Sequence, residues 1–275
     1  MAVSSKSLPR IGQLGVGRMG EPILTALEAA GFDVLAFDPV TRPDSSESAV
    51  IEHAEILVTV LPGAFELPVV RDTLVLDLTS NDPRNAERAV AQGVAIVGAP
   101  MGGGVAAASS GSLRFFVGGA HDHVARARPV LDLLGTIDHV GEGVGDGYVA
   151  KLLANLLWFG QAVAVSEALL LGQALGVAPS SLAASLATSA GGSAFIDDHL
   201  PALLAGDYLE TFGIDRVVEE LEILESLAAE NRIPFELSTL VTRLHREALD
   251  RFGPGDGELL AAKLLEERAG RNLRS

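Results

Sequence analysis

Along the first half of the chain, short apolar runs alternate with segments whose apolar positions recur every three or four residues. Arg10–Leu14, Val34–Phe37, Ile56–Leu61, Leu74–Leu78, Ala95–Val97 and Arg114–Val117 are near-continuously apolar, as strands buried on both faces are. Between them Met19–Ala30, Pro83–Gln92 and His123–Leu134 carry helical spacing. Strands separated by helices predict a doubly wound parallel α/β sheet of Rossmann type. The character changes at the turn-forming stretch Gly141-Glu-Gly-Val-Gly-Asp-Gly147. After it no run reads as a strand. Tyr148–Leu175 reads as one long helix, apolar on nearly every side, with further helices at Ser181–Thr188, Phe195–Ala205, Ile214–Glu230, Phe235–Arg251 and Glu258–Ala269. The pattern predicts a sheet domain over residues 1–144 and an all-helical domain over 145–275. So apolar a long helix needs more cover than one helical half supplies, which predicts a homodimer, with a tetramer possible.

Composition narrows the function classes. The 275 residues suffice for two ordinary domains, and 48% hydrophobic with 20% charged residues is a globular balance. A net charge of −16 repels phosphate backbones and anionic lipid, so neither nucleic acid nor membrane is an expected partner. The acidic clusters Glu219–Glu225 and Glu258–Glu267 read as solvated helix faces. Cysteine is absent, which excludes disulfides and thiolate metal sites. The six histidines show no metal spacing, so no metal is expected. Met1–Arg10 lacks the apolar core of a signal peptide, and the polar residues in the long helix keep every stretch below the expected length of a membrane span. A cytoplasmic setting is expected.

The first chemical motif is Gly15-Val-Gly-Arg-Met-Gly20, placed after a predicted strand and opening a predicted helix. Gly15 permits a tight turn, Gly17 lets the backbone approach a pyrophosphate, and Gly20 lets helix and strand pack closely. The helix N-terminus then faces the diphosphate charge. Asp38 ends the next strand about 20 residues on, as a dinucleotide fingerprint requires. A carboxylate there accepts from a ribose 2′-hydroxyl and repels a 2′-phosphate, favouring NAD. Arg42 leaves NADP open. The second signal is Lys151. The chain has three lysines, Lys6, Lys151 and Lys263, and only Lys151 lies in the most apolar stretch. A lysine is almost never buried without a partner or a use. Asn155 lies four residues on, one helical turn away on the same face.

With these motifs in order, the chain resembles the β-hydroxyacid dehydrogenase family. That family includes 3-hydroxyisobutyrate dehydrogenase, tartronate semialdehyde reductase and 6-phosphogluconate dehydrogenase, with imine reductases as cousins. Four blocks carry the resemblance: Ile11 to Pro22; Asp77-Leu-Thr-Ser-Asn-Asp-Pro83; Gly98-Ala-Pro-Met-Gly-Gly-Gly104 with Gly111–Gly119; and Gly145–Asn155. It implies an NAD(P)-dependent oxidoreductase that moves hydride between nicotinamide and a small β-hydroxy acid or its semialdehyde. In that reading Lys151 is the general acid/base and Asn155 holds the substrate or the lysine. Gly15, Val16, Gly17, Arg18, Met19, Gly20 and Asp38 hold the cofactor, with Leu61, Pro62 and Thr79 lining it. The backbone of Gly102, Gly103 and Gly104 receives a substrate carboxylate. Trp158 walls the pocket or packs in the core.

Departures are equally specific. Gly102 stands where the family has a substrate serine, Ala154 where it has a second asparagine, and Glu219 where it has a cofactor-side lysine. The stretch from Leu61 to Asp77 is short. These changes open two other readings: reduction of an imine or atypical carbonyl, and a dinucleotide-binding module without catalysis.

Overall fold

A computed structural model describes residues 8–210 and 212–274; Lys6 and the rest of the first seven residues lie outside the described residues. The chain forms two compact units, Met1–Lys151 and Leu152–Ser275. The sequence places the edge at 144/145, in the glycine turn; the two compact units divide seven residues later, after Lys151, inside the long helix.

The first unit runs β1 (Ile11–Leu14), α1 (Gly20–Ala29), β2 (Val34–Phe37), α2 (Glu47–His53), β3 (Ile56–Thr59), β4 (Leu74–Asp77), α3 (Pro83–Ala91), β5 (Ala95–Gly98), β6 (Met101–Gly102), α4 (Gly104–Ser110), β7 (Leu113–Gly118), α5 (His121–Leu134) and β8 (Gly135–Gly141). The sheet order is β2-β1-β3-β4-β5-β7-β6, with β8 on β7. β2, β1, β3, β4 and β5 pair in parallel, in continuous register. Alternation along the strands divides the core. Ile56, Val58, Leu74 and Leu76 pack with Ile23 and Leu27 of α1 and Val130 and Leu131 of α5. Leu57 and Val75 pack on the other face with Val50 of α2 and Ala86 and Ala89 of α3. This is the doubly wound arrangement.

The parallel sheet carries an antiparallel extension at one side. β7 pairs antiparallel with β5 and β6, and β8 follows β7 in parallel. β8 was not predicted because Gly-Thr-Ile-Asp-His-Val-Gly lies half-exposed at an edge and carries polar residues rather than an apolar run. β6 has only two residues. α2 and α4 are short and poor in large apolar side chains, so they lack a helical hydrophobic pattern.

The long helix α6 spans Asp146–Ala174. The second unit continues with α7 (Pro179–Ala187), a π-helical turn over Phe195–His199, α8 (Leu200–Ala205), α9 (Ile214–Glu230), α10 (Glu236–Phe252) and α11 (Leu260–Ala269). The single helix expected over Phe195–Ala205 is interrupted. Pro201 has no N–H to complete the α ladder, and Leu200 N donates five residues back to the Phe195 carbonyl. Phe195, Ile196, Leu200 and Leu203 form a core with Leu169, Leu170, Leu259 and Ala262.

One further correction concerns α6. By length and composition it is long and apolar enough to cross a membrane, because few of its polar residues are charged. On it Phe159, Leu169 and the hydrogen-bonded Ser166 are fully or almost fully buried, whereas Leu157 and Leu171 are exposed.

Candidate functional site

The glycine loop leaves β1 and enters α1 at the carboxyl ends of the parallel strands. Gly15 has φ +93°, and a Cβ there would strike the Val60 carbonyl. A Cβ on Gly20 would strike the Gly15 carbonyl. These two glycines are therefore required by the protein's own backbone. Gly17 differs: a Cβ would meet nothing within 4 Å. The space over Gly17 is open, as a backbone that must admit a diphosphate requires. Gly17 and Arg18 are exposed and Met19 is half-buried.

Gln13 was missed in the sequence. It is the one polar side chain on β1 and is fully buried. Its Nε2 donates to the Gly15 carbonyl at 3.0 Å and the Gly20 carbonyl at 2.8 Å, closing the loop on itself. Asp38 follows β2. Its Oδ2 accepts from Val16 N at 3.0 Å, and its Oδ1 from Val40 N and Thr41 N. The Val16 amide holds the Asp38 carboxyl below the usual carboxylate range, against a smaller upward push from burial and with help from Thr41 and Val40. Thr41 Oγ1 donates to the Val16 carbonyl at 2.9 Å. The ionised Asp38 is thus fixed beside the glycine loop. Arg42 turns to Glu21, 3.5 Å away.

At the ends of β3 and β4 lies a buried polar network. Asp77 is fully buried. Its Oδ1 accepts from Thr59 Oγ1 at 2.7 Å and Thr79 N at 3.0 Å; its Oδ2 accepts from Tyr148 Oη at 2.8 Å and Asn81 Nδ2 at 3.2 Å. Burial pushes the Asp77 carboxyl up, and these donors oppose the push. Burial also drives the Tyr148 hydroxyl well above its ordinary value, followed by the charge of Asp77, so it stays a neutral donor. Thr79 Oγ1 accepts from Leu61 N at 3.0 Å. Asn81 accepts from Phe65 N, and Asn81 and Asn85 donate to the Phe65 carbonyl. The loop that begins at Leu61 and the exposed Pro62 is thereby tied down. The family-like Asp77–Pro83 block was legible; its tie to Tyr148, 71 residues away, was not.

Gly102 lies in β6; Gly103 and Gly104 have φ +113° and +67° at the entry to α4 and are exposed. Lys151 is half-buried on α6, and Asn155 follows one turn later on the same helix. Within the second unit, Asn155 Nδ2 donates to Glu220 Oε2 at 2.6 Å. Glu220 is almost fully buried on α9 and was not singled out as a site residue. Glu219 accepts from Arg216 at 2.8 Å, and Arg216 also reaches Asp215 at 3.0 Å. Trp158 meets Phe159, Phe195 and His199 edge-on, with centroids 5.2 to 5.5 Å apart. Its packing role is therefore evident.

Comparison with known proteins extends this geometry. A family model described as the NAD binding domain of 6-phosphogluconate dehydrogenase matches residues 67–143. One described as NAD-binding of NADP-dependent 3-hydroxyisobutyrate dehydrogenase matches residues 145–265. 3-Hydroxyisobutyrate dehydrogenase of Pseudomonas aeruginosa is 33% identical over 66% of this chain and 70% of its own. The mitochondrial 3-hydroxyisobutyrate dehydrogenase of Mus musculus is 28% identical over 89% of this chain and 84% of its own. The structure of Mycobacterium tuberculosis 3-hydroxyisobutyrate dehydrogenase with L-serine superposes with a TM-score of 0.81 at 24% identity, covering 94% of this chain and 99% of that one. Fold and relatives define the class, NAD(P)-dependent oxidoreductases acting on hydroxyl groups. The chain belongs to the β-hydroxyacid dehydrogenase family.

Proposed function

We propose that this enzyme interconverts a small β-hydroxy acid and its semialdehyde, with NAD as the preferred cofactor and Lys151 as the general acid/base. One observation carries the reading. The single lysine of the chain's most apolar stretch stands on α6 one turn before Asn155, on the helix whose first turn is bonded to Asp77 at the sheet's carboxyl ends. Lys151 exchanges the proton of the substrate oxygen: as a base it takes it from the alcohol, and as an acid it returns it to the forming alkoxide. Asn155, its amide held by Glu220, presents its carbonyl oxygen to the lysine or to a substrate hydroxyl.

The open space over Gly17 and the fixed Asp38 suit a dinucleotide. Gly15 to Gly20 would hold its diphosphate and Asp38 its adenosine ribose, with Leu61, Pro62 and Thr79 beside the ring. When bound, NAD supplies the hydride acceptor. Gly102 to Gly104 offer backbone N–H groups to a carboxylate. Gly102, without the hydroxyl of a serine, favours a substrate not anchored by a hydroxyl at that point. Reduction of an imine or atypical carbonyl is kept as the second reading on that ground.

The enzyme is proposed to act as a homodimer. Leu157 and Leu171 are 65% and 63% exposed along one side of α6, Leu175 just past its end is 75% exposed, and Ile233 and Leu237 are 59% and 76% exposed at the entry to α10. So many large apolar side chains on one helical unit call for a partner surface. Oxidation rates across a panel of β-hydroxy acids with both cofactors test the activity. Turnover confined to imines would replace the first reading by the second, and no turnover with either class would leave the dinucleotide module.

A further inference from the structure

We infer that Tyr148 is a positioning residue that fixes the Lys151-bearing turn of α6 against the carboxyl ends of the sheet, through its hydrogen bond to the buried Asp77 carboxylate. This inference rests on the acid/base reading of Lys151. The ring of Tyr148 is fully buried beneath Gly98, where a Cβ would come within 2.5 Å of Cε2. The preceding Gly147 lies so close to the sheet that a Cβ would strike the Phe116 carbonyl. A Cβ on Gly118 would stand 2.6 Å from the Gly143 carbonyl and from Gly147 N. The start of α6 is therefore seated on glycines from β5 and β7: Gly147 meets Gly118 backbone to backbone, and the Tyr148 ring lies against Gly98.

Glycines allow close approach but do not fix how the helix is turned. That is the contribution of the Tyr148 hydroxyl. A fully buried hydroxyl is costly without a partner, and its partner is Asp77 Oδ2 at 2.8 Å. The other donors to Asp77 come from Thr59, Thr79 and Asn81; Tyr148 alone among these donors belongs to α6. Thr79 in turn receives the amide of Leu61. One carboxylate thus joins the loop proposed to line the cofactor to the turn that carries Lys151. Tyr148 and Lys151 are three residues apart and share a helix face. A displacement of about 1 Å at a catalytic group costs on the order of a hundredfold in rate, so the loss of this tie is read in turnover.

The test is steady-state kinetics, cofactor Kd and thermal melting of Tyr148→Phe, compared with Thr59→Val. Both variants remove one donor from Asp77, but Thr59 belongs to β3 and Tyr148 to α6. Tyr148→Phe is expected to lower kcat about tenfold or more and to move the pH limb that reports Lys151, with cofactor Kd within about twofold. Thr59→Val is expected to melt earlier with kcat and pH limb unmoved. If Tyr148→Phe melts earlier but keeps the parent's kcat and pH limb, Tyr148 only packs and the inference falls. Should Tyr148→Phe not fold, Gly98→Ala displaces the ring and keeps the hydroxyl; unchanged kcat there overturns the inference, and a fall at constant cofactor Kd supports it. Lys151→Ala measured in parallel separates the two claims. Full turnover without Lys151 overturns the acid/base reading itself. Loss of turnover in Lys151→Ala with none in Tyr148→Phe overturns only the positioning.

Discussion

Gly15, Gly17 and Gly20 share a residue type and differ in cause. Gly15 and Gly20 are demanded by neighbouring carbonyls, whereas Gly17 faces open space. Gly17→Ala is therefore expected to fold with an unchanged melting temperature and to bind NADH roughly tenfold more weakly, about 1.4 kcal/mol. Isothermal titration beside a melting curve reads both; unaltered NADH affinity would remove the glycine loop from the site. Asp38 makes a second residue-level prediction. Its carboxylate is ionised and fixed beside the loop, so the parent should bind NADH more tightly than NADPH, and Asp38→Ala should narrow or reverse that ratio. Tighter NADPH binding by the parent would contradict the preference.

At the scale of elements, the first turn of α6 matters most, because glycine contacts and one tyrosine seat it on the sheet. Gly147→Ala is expected to destabilise the protein by about 1–3 kcal/mol, as a forced overpacking does, measured as an earlier urea midpoint. An unchanged midpoint would mean that the seat is slack. Much of this level was legible in the sequence. Near-continuous apolar runs such as Leu74–Leu78 and helical spacing such as Ile214–Glu230 reflect burial, and they mark the strands and helices closely. β8 and α4 were not legible because an edge strand and a Gly-Ala-Ser helix bury little that is large. The glycine loop, Asp38, Lys151 and Asn155 were legible because their residue types are rare in such places. Gln13, Tyr148 and Glu220 were not, since their partners lie 7, 71 and 65 residues away along the chain.

Over the whole molecule, two outcomes follow from burial. The exposed leucines of α6 predict that Leu157→Glu with Leu171→Glu converts a dimer into a monomer by light scattering; a parent that is monomeric would refute the proposed interface. His245 is fully buried against Phe159, its Nδ1 bonded to the Val241 carbonyl, and burial holds its pKa down to about 4. The unfolded imidazole takes its proton first, so this contribution is intact above about pH 6.5 and is lost as pH falls from there towards 4. Urea midpoints from pH 7 to 4 should decline less steeply in His245→Phe than in the parent, and equal slopes would place the histidine in water. The central claim is that Lys151 moves the substrate's proton. Its most direct test is kcat of Lys151→Ala on the best β-hydroxy acid of the panel, with NADH affinity measured on the same preparation. A fall of about 10²- to 10⁴-fold with NADH affinity preserved is the predicted result; turnover equal to the parent's would contradict it.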